Sequence, residues 1–401
     1  MEIIKAKFEG FGIDISDRSI KIAQVKKKGD KLELTSLGEK DIPEGIIVKG
    51  KISKNKEEEV IKIIKKAIEE VEGEKIKTKY AVCSLPEENA FIKVIQVPKT
   101  GKEEIEEIIK WQIEPNFPVN LEEVYFDWEI ASTAEKEKEK KINVSVAVIL
   151  KEVVDSYLSV FKKAGLQPLS FEIESMAVIR SLIKDSFSPK PVIILDIGKC
   201  GTGLTIFSGK TILFTTHIDI SGEEMDKAIA KELKIDLKEA EKMKKRVGLS
   251  RIKSIHKVSL KDFSSLSKWK VVPVPILERK GEEEEVSFTQ LEKQDMVFNA
   301  LLPILIELAK RTQEYIDYFG EFGKIEGIPD GIISKIILCG GVATMIGLSE
   351  FLSFSLKKPV ELGNPLSNID SIKKEIKKKR TKDFLPFTTA IGLALRGIEE
   401  K

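Results

Sequence analysis

Two stretches of the chain show the same order of hydrophobic and polar positions. In each, an apolar run ends in an aspartate, and two strands of alternating apolar and polar residues follow across a tight turn. The first stretch begins with "FGIDIS" (11–16) and the second with "VIILDIG" (192–198). Alternation with a period of two around a short turn is typical of a β-hairpin. We therefore predict a duplicated core in which Asp14 and Asp196 occupy equivalent strand ends.

After each hairpin the hydrophobic period changes to that of an α-helix. Residues 55–71, "NKEEEVIKIIKKAIEEV", place their apolar side chains three and four positions apart, which predicts an amphipathic helix. Residues 221–233 predict a second helix, with Ser221 as its N-cap. The two predicted helices extend the repeat beyond the hairpins.

A third element combines a buried strand at 336–338, a Gly340-Gly341 turn and a helix that starts near Ile346. Paired glycines let a backbone approach a flat ligand closely, so this turn could cover an adenine and its ribose. A strand followed by two glycines and a helix is common. The element indicates a nucleotide site only because it follows the two hairpins in the chain.

Residues 89–165 predict a separate unit between the two copies. "ENAFIKVIQVP" reads as a strand, "KEEIEEIIKWQIE" as a helix, and "EVYFDWEI" and "INVSVAVIL" as two strands joined by the charged tip "TAEKEKEKK". A helix then ends at Gly165, which is a typical C-cap residue. Farther along the chain, in 250–298, Pro273, Pro275 and "GEEEE" predict strands and a solvated loop.

Composition restricts the function classes. The 401 residues exceed the size of a single core, so two or more domains are expected. Lys and Arg (67) nearly balance Asp and Glu (65), which gives no general electrostatic case for nucleic acid. The basic run 373–382 is interpreted as a solvated face. The sequence contains neither a signal-peptide h-region nor a window approaching the ~18 apolar residues of a membrane span, so direct membrane insertion is not expected.

Cysteine and histidine residues provide little catalytic chemistry. Cys83, Cys200 and Cys339 are scattered, which predicts neither a disulfide framework nor a metal cluster and fits a reducing compartment. His217 lies within an alternating strand and is interpreted as structural, while His256 lies in a polar segment. We therefore predict no hydrolytic dyad.

The paired aspartates indicate a nucleotide site. If the two halves pack face to face, the turns "SDRS" and "GKCGTG" meet in one cleft, where their N–H groups could cradle phosphates. Asp14 and Asp196 would then hold Mg²⁺, directly or through water, because Mg²⁺ takes one or two carboxylates beside phosphate oxygens. The alternative is that each aspartate only caps its own turn. The predicted nucleotide-binding residues are Asp14, Ser16, Asp17, Arg18, Ser19, Lys21, Asp196, Gly198, Lys199, Gly201, Thr202, Gly222, Gly340 and Gly341.

The order of these elements resembles the actin, Hsp70 and sugar-kinase superfamily of ATP-binding proteins. Within it, the chain is most similar to the PilM family of type IV pilus assembly proteins, to which the cell-division protein FtsA is related. The stretches that carry the resemblance are "GIDISDRSIKIAQV", "ILDIGKCGTGLTIFSGKTILFTTHI", "LLPILIELAKRTQEYIDYF", "ILCGGVATMIGLSEFL" and "AIGLALRG". The strand-helix-strand-strand insertion at 89–165 is the feature that FtsA and PilM share and that actin and Hsp70 lack at this point.

The resemblance implies an α/β, actin-like ATPase fold with two lobes, a duplicated β-hairpin and helix core, and the inserted subdomain. ATP and Mg²⁺ are the implied cofactors. The expected subdomains are 1A at 1–84 and 166–190, 1C at 85–165, 2A at 191–220 and 335–401, and 2B at 221–334.

This chain departs from the family pattern in its phosphate turns. Ser16 stands where the family usually has glycine, and Lys199 and Cys200 stand where small or hydroxyl residues are typical. A Cβ at position 16 is expected to crowd the nearest phosphate and weaken binding. Hydrolysis in the superfamily needs a residue that positions water, and by chain position Glu172 and Glu174 are the candidates. Both also fit as ordinary strand residues, so we expect at most a slow ATPase.

For function, the resemblance implies a cytoplasmic scaffold or adaptor, peripheral at the inner membrane, that binds the N-terminal cytoplasmic peptide of a PilN-like membrane protein. Other pilus platform proteins and self-association are further implied contacts. We expect the peptide groove between the first subdomain and the insertion, with strand residues near Phe91 to Val97 forming one wall.

Three alternatives stay open: an FtsA-like cell-division protein, a small-molecule kinase, and an interaction module with a degenerate cleft. FtsA characteristically ends in an amphipathic membrane helix, whereas this sequence ends in "LRGIEEK" after its last predicted core helix, which favours PilM.

Overall fold

The computed structural model describes residues 9–131, 140–250, 290–325, 331–376 and 378–399. The strands are β1 (Phe11–Ile15), β2 (Ser19–Lys28), β3 (Lys31–Asp41), β4 (Ile47–Val48), β5 (Lys51–Ile52), β6 (Glu72–Gly73), β7 (Tyr80–Leu85), β8 (Ala90–Pro98), β9 (Val124–Ile130), β10 (Lys141–Leu150), β11 (Gln167–Ile173), β12 (Ser188–Ile197), β13 (Thr202–Gly209), β14 (Thr211–Ile218), β15 (Lys335–Cys339), β16 (Val360–Leu362) and β17 (Ser371–Ile372). The helices are α1 (Glu57–Glu69), α2 (Lys102–Asn116), α3 (Lys151–Ala164), α4 (Glu174–Leu182), α5 (Gly222–Leu233), α6 (Leu237–Arg246), α7 (Gln290–Ile325), α8 (Leu348–Leu356) and α9 (Thr388–Glu399).

Two mixed sheets repeat one topology, which confirms the predicted duplication. The first sheet has the order β11-β7-β1-β2-β3-β17, and the second begins β16-β15-β12-β13-β14. In both, an antiparallel meander (β1-β2-β3, or β12-β13-β14) is flanked by two parallel strands. Asp14 and Asp196 therefore lie at equivalent strand ends, one in each sheet.

The helices bury the faces that their spacing predicts. In α1 the buried side chains include Val60, Ile64 and Ala67, three and four positions apart, and they join the main core. Ser221 caps α5 in a capping box with Glu224, as its position before the apolar run indicates. Local sequence and tertiary packing agree in both helices.

The inserted unit has the predicted order of strand, helix and two strands, and it extends the second sheet through β14-β8-β10-β9. The proposed peptide wall at 91–97 stays a prediction, because much of β8 is buried while Phe91 and Lys93 are half-buried and Gln96 is exposed. Ile95 and Val97 pack in the cluster that contains the buried face of α2. Ile92 and Val94 belong to the main core. The edges of β8 are also occupied, by β10 and β14.

Helix α9 packs on the first sheet, against β1, β2, β7 and α4. The expected subdomain boundaries placed these residues in the second lobe, with 335–401 as one piece. The close approach explains Gly12, because a Cβ there would lie 2.5 Å from the Ala394 backbone nitrogen and 2.8 Å from the Leu393 Cβ. The C-terminal helix thus closes the core of the first lobe.

The charged tip at 132–139 and residues 251–289, with His256, Pro273 and Pro275, lie outside the described residues. Residues 290–298 form the start of α7, where strands and a loop had been expected. Among the helices of the described ranges, none combines the length and apolar composition needed to cross a membrane.

Candidate nucleotide site

A cavity of about 830 Å³ separates the turn after β1 from the turn after β12. Thirteen of the fourteen residues predicted from sequence line it. The fold brings them together because β1 and β12 are equivalent strands whose carboxyl ends face each other across the gap between the sheets. The exception is Thr202, which is fully buried and donates its hydroxyl to the Ile220 carbonyl oxygen at 2.6 Å.

The first turn is closed by the side chain of Ser16. The Ser16 N–H donates to the Ser19 carbonyl oxygen at 3.0 Å, and the Ser19 N–H donates back to the Ser16 Oγ at 3.2 Å. The Ser16 side chain therefore stabilises the hairpin from within. Among the described contacts, the N–H groups of Asp17 and Arg18 keep no protein acceptor, so they are the donors that this turn can offer to an anion.

Two predicted phosphate ligands in this turn have protein partners. The Asp17 carboxylate accepts the N–H groups of Lys49 at 2.6 Å and Gly50 at 2.8 Å. The Arg18 guanidinium crosses the cavity mouth to Glu223 on α5, with Nε to Oε2 at 3.1 Å and Nη2 to Oε1 at 3.4 Å. Arg18 therefore joins the two lobes in this structure.

The second turn is built from backbone hydrogen bonds. The Gly198 N–H donates to the Gly201 carbonyl oxygen at 2.8 Å. Two N–H groups at the start of α5 also donate to this turn. The Gly222 N–H donates to the Gly198 carbonyl oxygen at 3.0 Å, and the Glu223 N–H donates to the Lys199 carbonyl oxygen at 2.9 Å. The turn and the amino end of α5 are thus one rigid unit beside the cavity.

The third turn lies directly on Asp196, and its two glycines differ in role. Gly340 has a φ of +84°, and a Cβ there would lie 2.6 Å from the Ile197 carbonyl oxygen and closer still to the Asp196 Oδ1. At Gly341 an added Cβ would meet nothing within 4 Å. Gly340 is therefore required for protein packing, and Gly341 faces open space where a ligand can approach.

The two aspartates form a desolvated acidic pair. Burial raises the pKa of Asp14, an effect partly opposed by Lys21 and by the Ser84 hydroxyl, which donates to its Oδ1 at 2.8 Å. Burial and the charge of Asp14 raise the pKa of Asp196 to about 6. The positive charge of Lys21 partly opposes the increase in pKa of both carboxyl groups. An added divalent cation would relieve this repulsion.

Two further carboxyl groups lie at the ends of the neighbouring parallel strands, and both line the cavity. Glu174 follows β11, and burial together with the nearby acidic groups raises its pKa well above the ordinary value. Glu87 follows β7, and burial raises its pKa to about 7. Its Oε2 accepts the Ser175 N–H at 3.1 Å, and this bond together with the Ser175 and Thr215 hydroxyls partly opposes the increase in pKa.

The structure separates Glu172 from Glu174. Glu172 forms a bidentate ion pair with Arg180, at 2.5 and 2.6 Å, and both side chains are largely buried. Glu174 lines the cavity. Of the two candidates for positioning water, only Glu174 is placed to reach a ligand.

His217 also lies at the cavity, although the strand pattern suggested a structural role. Its ring packs on Gly201, where a Cβ would clash with it, and its Nε2 lies 3.5 Å from Glu88 Oε1. Burial lowers the pKa of His217 and raises that of Glu88 to about 7. The pair connects the second turn with the segment that follows β7.

Helix α6 supplies side chains that no sequence motif indicated. Lys244 is buried and donates to the Gly222 carbonyl oxygen at 2.8 Å, and its Nζ lies 2.8 Å from Asp226 Oδ1. Glu241 and Lys245 line the same part of the cavity. Helical spacing puts Glu241 and Lys244 on one face, but only tertiary packing places that face on the cavity.

Within the described ranges, no three His, Cys, Asp or Glu side chains converge to hold a metal ion unaided. Two carboxylates that require phosphate oxygens or water to complete a coordination shell are the donor set typical of Mg²⁺ beside a nucleotide. Asp14 and Asp196 fit that requirement.

Comparisons with known proteins identify two related families. The sequence model of the type IV pilus assembly protein PilM matches residues 12–258, and that of the cell division protein FtsA matches 193–392. FtsA of Bacillus subtilis (strain 168) is 21% identical over 215 residues, covering 54% of this chain and 43% of FtsA. FtsA of Neisseria meningitidis serogroup B is 24% identical over 234 residues, covering 58% of this chain and 49% of FtsA. The chain thus spans less than half the length of these curated relatives.

A solved structure matches along nearly the whole chain. It is a PilM-PilN type IV pilus biogenesis complex, with a TM-score of 0.72 and 22% sequence identity over 98% of this chain and 99% of that one. At this identity the match establishes the shared fold. Together with the FtsA family match, it confirms the actin-like architecture that the two duplicated sheets form.

Proposed function

The chain belongs to the family of the type IV pilus assembly protein PilM, and from this we propose that it is an ATP-binding scaffold of a pilus assembly platform. The observation that carries the nucleotide assignment is the pair Asp14 and Asp196. Asp14 is buried and Asp196 is half-buried, and both lie at equivalent strand ends and line one cavity. Two desolvated carboxylates that face each other raise the free energy of the ligand-free cleft, and a cation-nucleotide complex would relieve this cost.

In this proposal, Asp14 and Asp196 hold Mg²⁺, which would neutralise charge on the phosphates. Backbone N–H groups of the first and second turns receive phosphate oxygens. Gly341 borders the adenosine, with Glu241 and Lys244 as partners for its polar atoms. The cavity of about 830 Å³ lies within the range of about 300–1,000 Å³ typical of small-molecule sites.

We expect at most slow ATP hydrolysis. Glu174 is the group placed to orient a water molecule, but burial and its acidic neighbours raise its pKa and favour the protonated form. A protonated carboxyl group is a weak proton acceptor, so the nucleotide would act mainly as a structural or switching ligand.

For the partner, we propose the N-terminal cytoplasmic peptide of a PilN-like inner-membrane protein, because the matched structure is a PilM-PilN complex. This contact would hold the chain, as a cytoplasmic protein, at the inner membrane. Other platform proteins and self-association belong to the same proposal.

Calorimetric titration with Mg-ATP tests the nucleotide assignment. Asp14→Asn keeps the shape and an acceptor for the Ser84 hydroxyl while removing the charge, and we expect at least about tenfold weaker binding, or about 1.4 kcal/mol. Asp30→Asn, in the exposed turn between β2 and β3, is the matched control and should bind like the unmodified chain. Equal affinity in both variants would exclude Asp14 as a ligand of the magnesium nucleotide.

A further inference from the structure

Strand β9 forms one end of the second sheet, and the described residues place no strand on its outer side. The register pairs Ile130 with Val144, and the Ala131 N–H donates to the Asn143 carbonyl oxygen at 2.9 Å. In an antiparallel pair, alternate residues bond inward. The backbone groups of residues 124, 126, 128 and 130 therefore point outward from the sheet.

This edge carries only part of the usual protection against strand addition. Natural edge strands are often blocked by charged side chains, above all lysine, by proline, by a bulge or by very short length. The sequence of β9, "VYFDWEI", is seven residues long and contains neither lysine nor proline. Its pairing with β10 shows no register shift. Tyr125 and Ile130 are 46% and 54% exposed, so apolar side chains are available beside the open edge.

The surface around β9 is strongly acidic. Residues 102–131, which contain α2 and β9, carry nine carboxylates and two lysines, a net charge of −7 in a chain whose formal charge is +2. Asp127 and Glu129 lie on β9 itself and are exposed. Burial and the charge of Asp127 raise the pKa of Glu129, as expected for neighbouring like charges.

We propose that the outer edge of β9 is a docking site for a basic, extended protein segment, which adds to the second sheet as a further strand. The outward N–H groups of residues 124, 126 and 130 and the outward carbonyl groups would bond its backbone, whereas the Trp128 N–H already donates to Asp127 Oδ1 at 2.8 Å. The carboxylates of the strand and its surroundings would select lysine and arginine side chains. Backbone pairing with pockets or charges for alternate side chains is the general mode of strand addition. The proposal does not depend on nucleotide binding.

The test uses the full chain and a labelled synthetic peptide, KVKVKVK, with EVEVEVE as the opposite-charge control. Fluorescence anisotropy measures affinity, and hydrogen exchange measures protection of the amides at 126 and 130. We expect saturable binding of the basic peptide, at least tenfold weaker binding of the acidic one, and slower exchange at those outward amides.

Ile130→Pro removes one outward N–H without removing a bond of the β9-β10 ladder, and Ile130→Thr is its matched control. We expect the proline variant to bind KVKVKVK at least fivefold more weakly than the threonine variant. Asp127→Lys combined with Glu129→Lys provides an independent variant with the same expected loss. Absence of saturable binding, or binding without slower exchange at the outward amides, would overturn the proposal. Equal affinity of the proline and threonine variants would also overturn it.

Discussion

Substitution of Gly340, the first of two adjacent glycines after β15, should destabilise the protein, whereas substitution of Gly341 should not. Gly340 has a φ of +84°, where a residue with a Cβ costs about 1–2 kcal/mol. The new Cβ would also lie 2.6 Å from the Ile197 carbonyl oxygen, and overpacking of this kind costs about 1–3 kcal/mol. Gly340→Ala should therefore lower the free energy of unfolding of the second lobe by about 2–5 kcal/mol.

Gly341→Ala is the matched control, because its Cβ would meet no atom within 4 Å and its φ is not positive. We expect its unfolding free energy to stay within about 0.5 kcal/mol of the unmodified chain. The new Cβ at position 340 also presses on Asp196, so Gly340→Ala should bind Mg-ATP at least about tenfold more weakly.

Urea unfolding followed by circular dichroism, together with calorimetric titration, measures both effects. Equal unfolding midpoints for Gly340→Ala and Gly341→Ala would refute the argument that the third turn packs tightly on Asp196. A Gly341→Ala variant with a clearly lower free energy of unfolding than the unmodified chain would refute the assignment of open space at that position.

Glu172 in β11, Glu174 directly after it and the raised pKa values of two cavity carboxyl groups give further predictions. Glu172→Gln should cost about 3–5 kcal/mol of stability, because it leaves the largely buried Arg180 without its ion pair. Glu174→Gln should unfold at an unchanged or higher urea concentration while suppressing any ATP turnover. The pKa values of Asp196, about 6, and Glu87, about 7, exceed the ordinary values of 3.8 and 4.5, so the folded state retains protons that the unfolded chain releases. Ligand-free stability should therefore rise as pH falls from about 7.5 to about 5.5, and a flat or opposite urea midpoint profile would contradict these assignments.

The duplicated hairpins were predictable because their determinants are local. Period-two alternation and a short turn specify each hairpin, and both aspartates sit where an apolar run ends. The N-cap at Ser221 and the C-cap at Gly165 are likewise encoded within one helical turn, and the structure confirms both.

The rest of the site depends on contacts between distant parts of the chain. Glu87 and Glu174 reach the cavity because β7 and β11 run parallel to β1, so their carboxyl ends meet at the edge that holds Asp14. The pairing of Arg18 with Glu223 spans 205 positions, and no local pattern signals it. Helix α9 packs on the first sheet for a similar reason, because Gly12 permits a contact that spacing cannot reveal.

The central claim is that both turns bind one magnesium nucleotide, and hydrogen exchange with and without Mg-ATP tests it most directly. We predict slower exchange of the amides at 16–19 and 198–203 together, at the same nucleotide concentration and only when Mg²⁺ is present. Unchanged exchange in both turns at saturating Mg-ATP, or protection of one turn without the other, would contradict the claim.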